Sequence, residues 1–174
     1  NLISFEQYLR NEKAADKINV IVALDDGYRS WFEIGLSLFN RYKIHPLLFA
    51  SSDFVGKETD DAMEFCRESI TTWPEASLRW EELKQLSDSG CEIGGHTVGH
   101  IDVTTERNRS RVAEAIMADR KTLESRLGIS VRSFSYPFGR YNDHAIKTVK
   151  EAGYTYAFSS DSGYLEDSPH QFLL

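Results

Sequence analysis

The chain is poor in cysteine. Cys66 and Cys91 are the only two in 174 residues, they form no C-x-x-C pair, and they offer no disulfide framework. Buried thiols are the reading left for them. No apolar run approaches the roughly 20 residues that a membrane-spanning helix needs, so no membrane-spanning segment is expected. No basic stretch followed by an apolar one opens the chain. The first residue is Asn1 rather than Met, and Gln171-Phe172-Leu173-Leu174 stops within an apolar run. The expectation is one domain over residues 1–174, cut short at both ends, with localisation open between cytoplasm and cell envelope. Positive charge is also in deficit. The formal net charge is −7, whereas nucleic-acid binders present a basic face, so nucleic acid is not expected as a partner. A neutral or cationic ligand is easier to accommodate. Oligomeric state is not legible.

What is present is ordinary for a soluble domain: 41% hydrophobic and 27% charged residues, enough for a core without disulfide staples. Short apolar runs alternate with helical patterns. Residues 18–24 read as a buried strand, being β-branched and nearly free of polar groups. Residues 31–42 read as a helix and 46–50 as a second strand. Residues 51–78 read as a long loop with a short helix. Residues 80–86 are helical, stopped at Ser89-Gly90, and 91–95 form a third, short strand. The longest helix is expected over 106–127, ended by Gly128. A fourth strand follows over 131–136, a helix over 143–152 with Asp143 near its N-cap, and a fifth strand over 154–159. This alternation predicts an α/β fold with a parallel sheet or barrel. A complete eight-stranded barrel typically takes about 250 residues, so a smaller or incomplete one is expected.

The polar signals stand where strands end, the edge at which parallel α/β folds carry their chemistry. Strand one runs into Asp25-Asp26-Gly27, strand three into His96-Thr97-Val98-Gly99-His100, and strand four into Tyr136-Pro137-Phe138-Gly139. The H-x-x-x-H spacing lets two imidazoles meet one ion if the segment turns helically. Gly94, Gly95 and Gly99 favour a tight loop instead, and two solvent-exposed loop histidines would give the same spacing. No Glu follows His96, so the helical H-E-x-x-H motif is absent. Neighbours on an extended backbone point opposite ways, so one of the two aspartates can face a metal and the other an attacking water. A polar turn capping the next helix would also read D-D-G. One Asp and two His together make a facial triad with open positions. The second Asp would then take the proton of a metal-activated water, in hydrolysis of an acyl group. Phosphoryl transfer through an aspartyl nucleophile would need a Lys and a hydroxyl partner that have no clear place here.

At these residues the chain resembles the polysaccharide deacetylase family, the NodB-homology domain of carbohydrate esterase family 4. Asp25-Asp26-Gly27 is similar to its T-F-D-D-G motif, His96 to His100 to its H-[ST]-x-x-H motif, and Tyr136 to Gly139 to its R-x-P-[YF]-G motif. Phe49 to Gly56 resembles the segment after the family's second strand, and the whole resemblance spans residues 18–160. It implies a distorted (β/α) barrel with fewer than eight strands. It also implies a hydrolase acting on carbon–nitrogen bonds of linear amides, an N-deacetylase of an acetylated sugar or polysaccharide. Asp25 would be the general base. Asp26, His96 and His100 would hold a divalent metal, zinc first. The Phe138 N–H would support the oxyanion, and Tyr136, Pro137 and Phe138 would line the substrate pocket.

The departures are specific. Ala23-Leu24 replaces Thr-Phe, and Ser135 stands where many members have the Arg that orients the base. That role is either dropped or taken by Arg132 or Arg140. Ser160 to Tyr164 is a loose echo of the fourth motif, and the histidine acid of the fifth has no counterpart. His45, His144 and His170 read as structural or exposed. A relative that binds metal and carbohydrate with weakened catalysis, and an amidohydrolase of small amides on the same fold, are the alternative readings.

Overall fold

The computed structural model describes all residues except Thr72, Glu106, Arg107 and Pro169. Five parallel strands are hydrogen-bonded in chain order: β1 (Ala23–Asp26), β2 (Leu47–Ala50), β3 (Glu92–Gly95), β4 (Ser133–Ser135) and β5 (Tyr156–Phe158). Parallel neighbours in sequential order require every crossover to turn the same way. The result is the winding of a (β/α) barrel, here a curled half-barrel of five strands, as expected. The crossovers are α2 (Leu36–Tyr42), α3 (Thr59–Ser69) with α4 (Trp80–Asp88), α5 (Arg109–Leu127) and α6 (Asp143–Glu151). The helix expected over 31–42 starts as a π-helical turn, Trp31–Gly35, before becoming α2. The expected start of the long helix at Glu106 lies outside the described residues. Asn108 caps α5, its side chain accepting from the Ser110 N–H at 3.1 Å.

Two layers follow from the period-two alternation of the strands. Leu48, Ala50, Ile93, Phe134 and Ala157 face the crossover helices and pack on Leu83, Leu86, Val112, Ile116, Leu123 and Val149. Leu47, Phe49, Tyr156 and Phe158 face the other way and are covered by Phe5. Phe5 belongs to α1 (Phe5–Leu9), a single turn closed by a capping box between Ser4 and Gln7. Its ring meets Tyr156 and Phe158 edge-on at 5.0 and 5.1 Å. This helix is too short to show a period in the sequence.

The first strand differs from expectation. The β-branched run from Ile18 does not form a buried strand: Ile18 is 70% exposed and Val20 44%. Val20 makes only an isolated bridge to Leu2, and the ladder to β2 begins at Ala23. The reason is position. Val20 exchanges main-chain hydrogen bonds with Asn1 and Ile3 (2.8 and 3.0 Å) outside the five-stranded ladder and its packed layers, and the side chains of Ile18 and Val20 stay exposed there. A cleft of about 530 Å³, lined by Ile21, Ala23 and Leu47 on one side and Phe158, Tyr164 and Leu174 on the other, separates β1 from the C-terminal segment. Both cysteines are buried free thiols. Among the described residues, no helix is long and apolar enough to cross a membrane.

Candidate metal centre

The C-terminal ends of β1, β3 and β4 bring three sequence-distant segments together. Asp26 is the last residue of β1, His96 follows β3, and His100 lies four residues further on. The segment between the histidines is not helical. Thr97 and His100 both have positive φ (65° and 49°), so the loop folds back on itself and both rings face Asp26. The His96 Nε2 lies 3.4 Å from Asp26 Oδ1 and the His100 Nε2 3.1 Å from the same oxygen. The three donor atoms fall within 4.8 Å of one another.

The other nitrogen of each ring is engaged. His96 Nδ1 lies 2.7 Å from the Ser135 carbonyl and His100 Nδ1 2.6 Å from the Ser69 carbonyl. A carbonyl only accepts, so Nδ1 carries a proton in both rings, and each Nε2 faces Asp26, as a donor when the ring is protonated and as a lone pair when it is neutral. Two lone pairs and a carboxylate converging in a buried place repel unless a cation sits among them. Without a cation, a proton on Nε2 relieves that repulsion, since an imidazolium donates to Asp26. Burial opposes ionisation of Asp26, but the two imidazoles outweigh it and hold its carboxyl well below the ordinary range. For His96, burial disfavours the charged form, and the hydrogen bond to Asp26 with the charges of Asp25 and Asp26 reverse that and raise its pKa. Donor type, tautomer and convergence fit a divalent transition metal.

Asp25 points to the opposite side of β1, toward the face that carries Phe49, its register partner. The residue is exposed, yet desolvation of its carboxyl by the surrounding protein raises its pKa, with His96 acting against the shift and Asp26 adding to it. Ser135 Oγ approaches Asp25 Oδ2 at 3.4 Å. The residue standing in the family's arginine position thus touches the aspartate itself. Arg132 instead pairs with Glu6 at 3.1 Å and Arg140 with Asp102 at 2.7 Å.

The motif after β4 divides its roles. Phe138 sits at φ 60° in a turn closed by Gly139 N–H to Tyr136 O (2.8 Å) and Arg140 N–H to Pro137 O (3.2 Å). Neither bond uses the Phe138 N–H. The Phe138 ring is 48% exposed and stands edge-on to His100 at 4.6 Å. With Ser69, Ile101, Asp102 and Thr105 it lines an open groove of about 530 Å³ beside His100. Tyr136 does not join that wall. It is fully buried, its ring lies against Phe134 and Tyr141, and its hydroxyl donates to the Phe172 carbonyl at 3.2 Å. Pro137 is buried too. The physical reason is the turn: the positive φ at Phe138 sends that one side chain outward while its predecessors follow the strand into the core.

Several residues that shape the site were not foreseen. Ser51 bridges the strand ends that carry Asp26 and His96, its N–H donating to the Asp26 carbonyl at 3.0 Å and its hydroxyl to the His96 carbonyl at 3.1 Å. Asp119 on α5 accepts from the main chain at Ser52 and His96. Its signal was visible as a carboxylate inside the apolar stripe of Val112, Ile116, Leu123 and Leu127. The remaining histidines stand elsewhere. His45 precedes β2 and lies against Gly90, at the opposite end of the sheet. His144 is in the first turn of α6 with a buried, unpartnered Nε2. His170 accepts from the Phe172 N–H at 3.2 Å.

The family model described as polysaccharide deacetylase matches residues 12–157. The poly-beta-1,6-N-acetyl-D-glucosamine N-deacetylase of Staphylococcus aureus is 24% identical over 176 residues, covering 96% of this chain and 56% of that protein. The Bacillus subtilis protein YxkH, whose name assigns it to the polysaccharide deacetylases, is 21% identical over 158 residues, covering 89% of this chain and 49% of its own length. The chain therefore spans about half the length of the curated relatives it matches. Among solved structures, the Streptococcus pyogenes deacetylase PplD in complex with acetate superposes with a TM-score of 0.78 at 17% identity, covering 99% of this chain and 71% of that one.

Proposed function

Since the chain belongs to the polysaccharide deacetylase family, we propose that it removes acetyl groups from an acetylated sugar polymer. It would do so as an N-deacetylase with a divalent metal, zinc first, held by Asp26, His96 and His100. One observation carries the metal: both imidazoles have Nδ1 fixed on a main-chain carbonyl and aim Nε2 at a single Asp26 oxygen. A metal bound there supplies an acidified water and polarises the acetyl carbonyl.

The chain's own residues do the rest. Asp25 stands beside the cluster without being part of it, and it is open to the solvent from which a base must take a proton. Ser135 holds that carboxylate by one oxygen. The N–H of Phe138, which the two turn bonds leave unused, is the donor for charge developing on the acetyl oxygen, and its exposed ring with the groove beside His100 is the wall for the sugar. The S. aureus relative's named substrate, a β-1,6-linked N-acetylglucosamine polymer, is the substrate class this reading favours.

Among the described residues none of His45, His144 and His170 contacts the cluster, which favours a second reading in which catalysis is weakened while metal and carbohydrate binding persist. Elemental analysis separates success from failure at the first step. Wild-type chain should carry about one divalent ion, and His96→Ala or His100→Ala should lose it. Full occupancy in both variants would dismiss the ligand set.

A further inference from the structure

We infer that Asp119 is a positioning residue for the metal centre, holding His96 in place through the main chain rather than touching the metal; this rests on the metal reading above. Asp119 is fully buried on α5 and lies outside the family motifs. Its Oδ1 accepts the Ser52 N–H and its Oδ2 the His96 N–H, each at 2.8 Å. One carboxylate thus ties a helix to the ends of two adjacent strands, and one of those ends is a metal ligand. Both bonds are charge-assisted, short and directional, the kind that fixes a backbone most firmly.

The surroundings are built around it. A Cβ added to Gly95 would come within 2.9 Å of Asp119 Oδ2 and 2.1 Å of the Tyr154 hydroxyl, so glycine just before His96 leaves the space that the carboxylate occupies. α5 and the histidine loop are joined a second time by the Val98 N–H, which donates to the Ala115 carbonyl at 3.1 Å. With its N–H held by Asp119, its carbonyl by Ser51 and its Nδ1 by Ser135 O, His96 is constrained at three points. Removing the Asp119 anchor frees the peptide from which the imidazole projects. Partners of this indirect kind typically change metal affinity by about 10–100-fold.

The probe is Co²⁺, read by its visible ligand-field spectrum and by competition with a chromophoric chelator. Asp119→Asn keeps the shape but turns one acceptor into a donor facing an N–H. Asp119→Ser keeps a single short acceptor, so the answer does not hang on one variant folding. Leu123→Ala, a cavity in the same helix, is the control for lost stability. Both Asp119 variants should bind Co²⁺ about 10–100-fold more weakly, with an altered spectrum. Leu123→Ala should lower the melting temperature while leaving affinity and spectrum unchanged. Asp119 variants with wild-type affinity and spectrum would overturn the positioning role and leave the metal reading intact. Wild-type chain that binds no Co²⁺ would overturn both.

Discussion

At the residue scale, the proposed chemistry turns on the division between Asp25 and Asp26. They are adjacent, yet the strand turns one toward the two imidazoles and the other toward Ser135. Asp25→Asn should therefore retain the metal and lose about 10²–10⁴-fold in deacetylation, read as metal content beside kcat/KM. A variant that keeps wild-type turnover would remove Asp25 from the reaction. Ser135 makes a single long contact with that carboxylate. Because a hydrogen bond of this kind contributes about 0.5–1.5 kcal/mol, Ser135→Ala should slow the reaction by roughly tenfold at most. A loss as deep as that of Asp25→Asn would mean that the serine does more than steady the base. The glycines show the same economy of space. A Cβ on Gly94 would come 2.4 Å from the Phe49 ring, and one on Gly95 would enter the layer of Asp119.

At the scale of elements, the helices hold the strand ends at their spacing. α5 is the clearest case. Its Arg120 donates to the carbonyls of Val131 and Ala152 at 2.9 and 2.7 Å, joining the approach to β4 with the end of α6. α6 is started by Asn142, whose side chain accepts from the Ala145 N–H at 2.9 Å; the cap is the residue before the Asp143 read from the sequence. Asn142→Ala should cost about 1 kcal/mol, the usual worth of such a cap, measured by urea denaturation, and should leave metal affinity unchanged because α6 supplies no ligand. Altered metal affinity would show that α6 is coupled to the centre.

At the scale of the whole molecule, the half-barrel places three strand ends at one mouth and leaves a cleft between β1 and the C-terminal segment. No histidine of the described residues other than His96 and His100 has been brought to that mouth by a contact with the cluster. An amine leaves poorly unless protonated, whereas an alkoxide or phenoxide leaves more readily. The 174-residue chain should accordingly cleave aryl acetates faster than matched N-acetyl sugars, compared as kcat/KM. Triple replacement of His45, His144 and His170 should change neither rate by much. Rapid amide turnover lost on replacing one of the three would place the acid within this chain.

The sequence by itself determined the class of fold and singled out the candidate site residues. Strand–helix alternation needs only local hydrophobic period, and each chemical motif sits immediately after a strand, so Asp25, Asp26, His96, His100 and Phe138 were all legible. Tertiary structure decided what depends on neighbours distant in the chain. It exposed Ile18 and Val20, because they pair with the N-terminal residues outside the packed five-stranded sheet. It sent Tyr136 into the core and Phe138 outward, because a positive φ reverses one side chain. It gave the arginine's place to Ser135 and turned Arg132 and Arg140 to other carboxylates. It also drew Ser51, Ser69 and Asp119 around the histidines. Ser69 acts through its carbonyl, which every residue has and no sequence marks, whereas Asp119 left a mark as a carboxylate inside an apolar stripe.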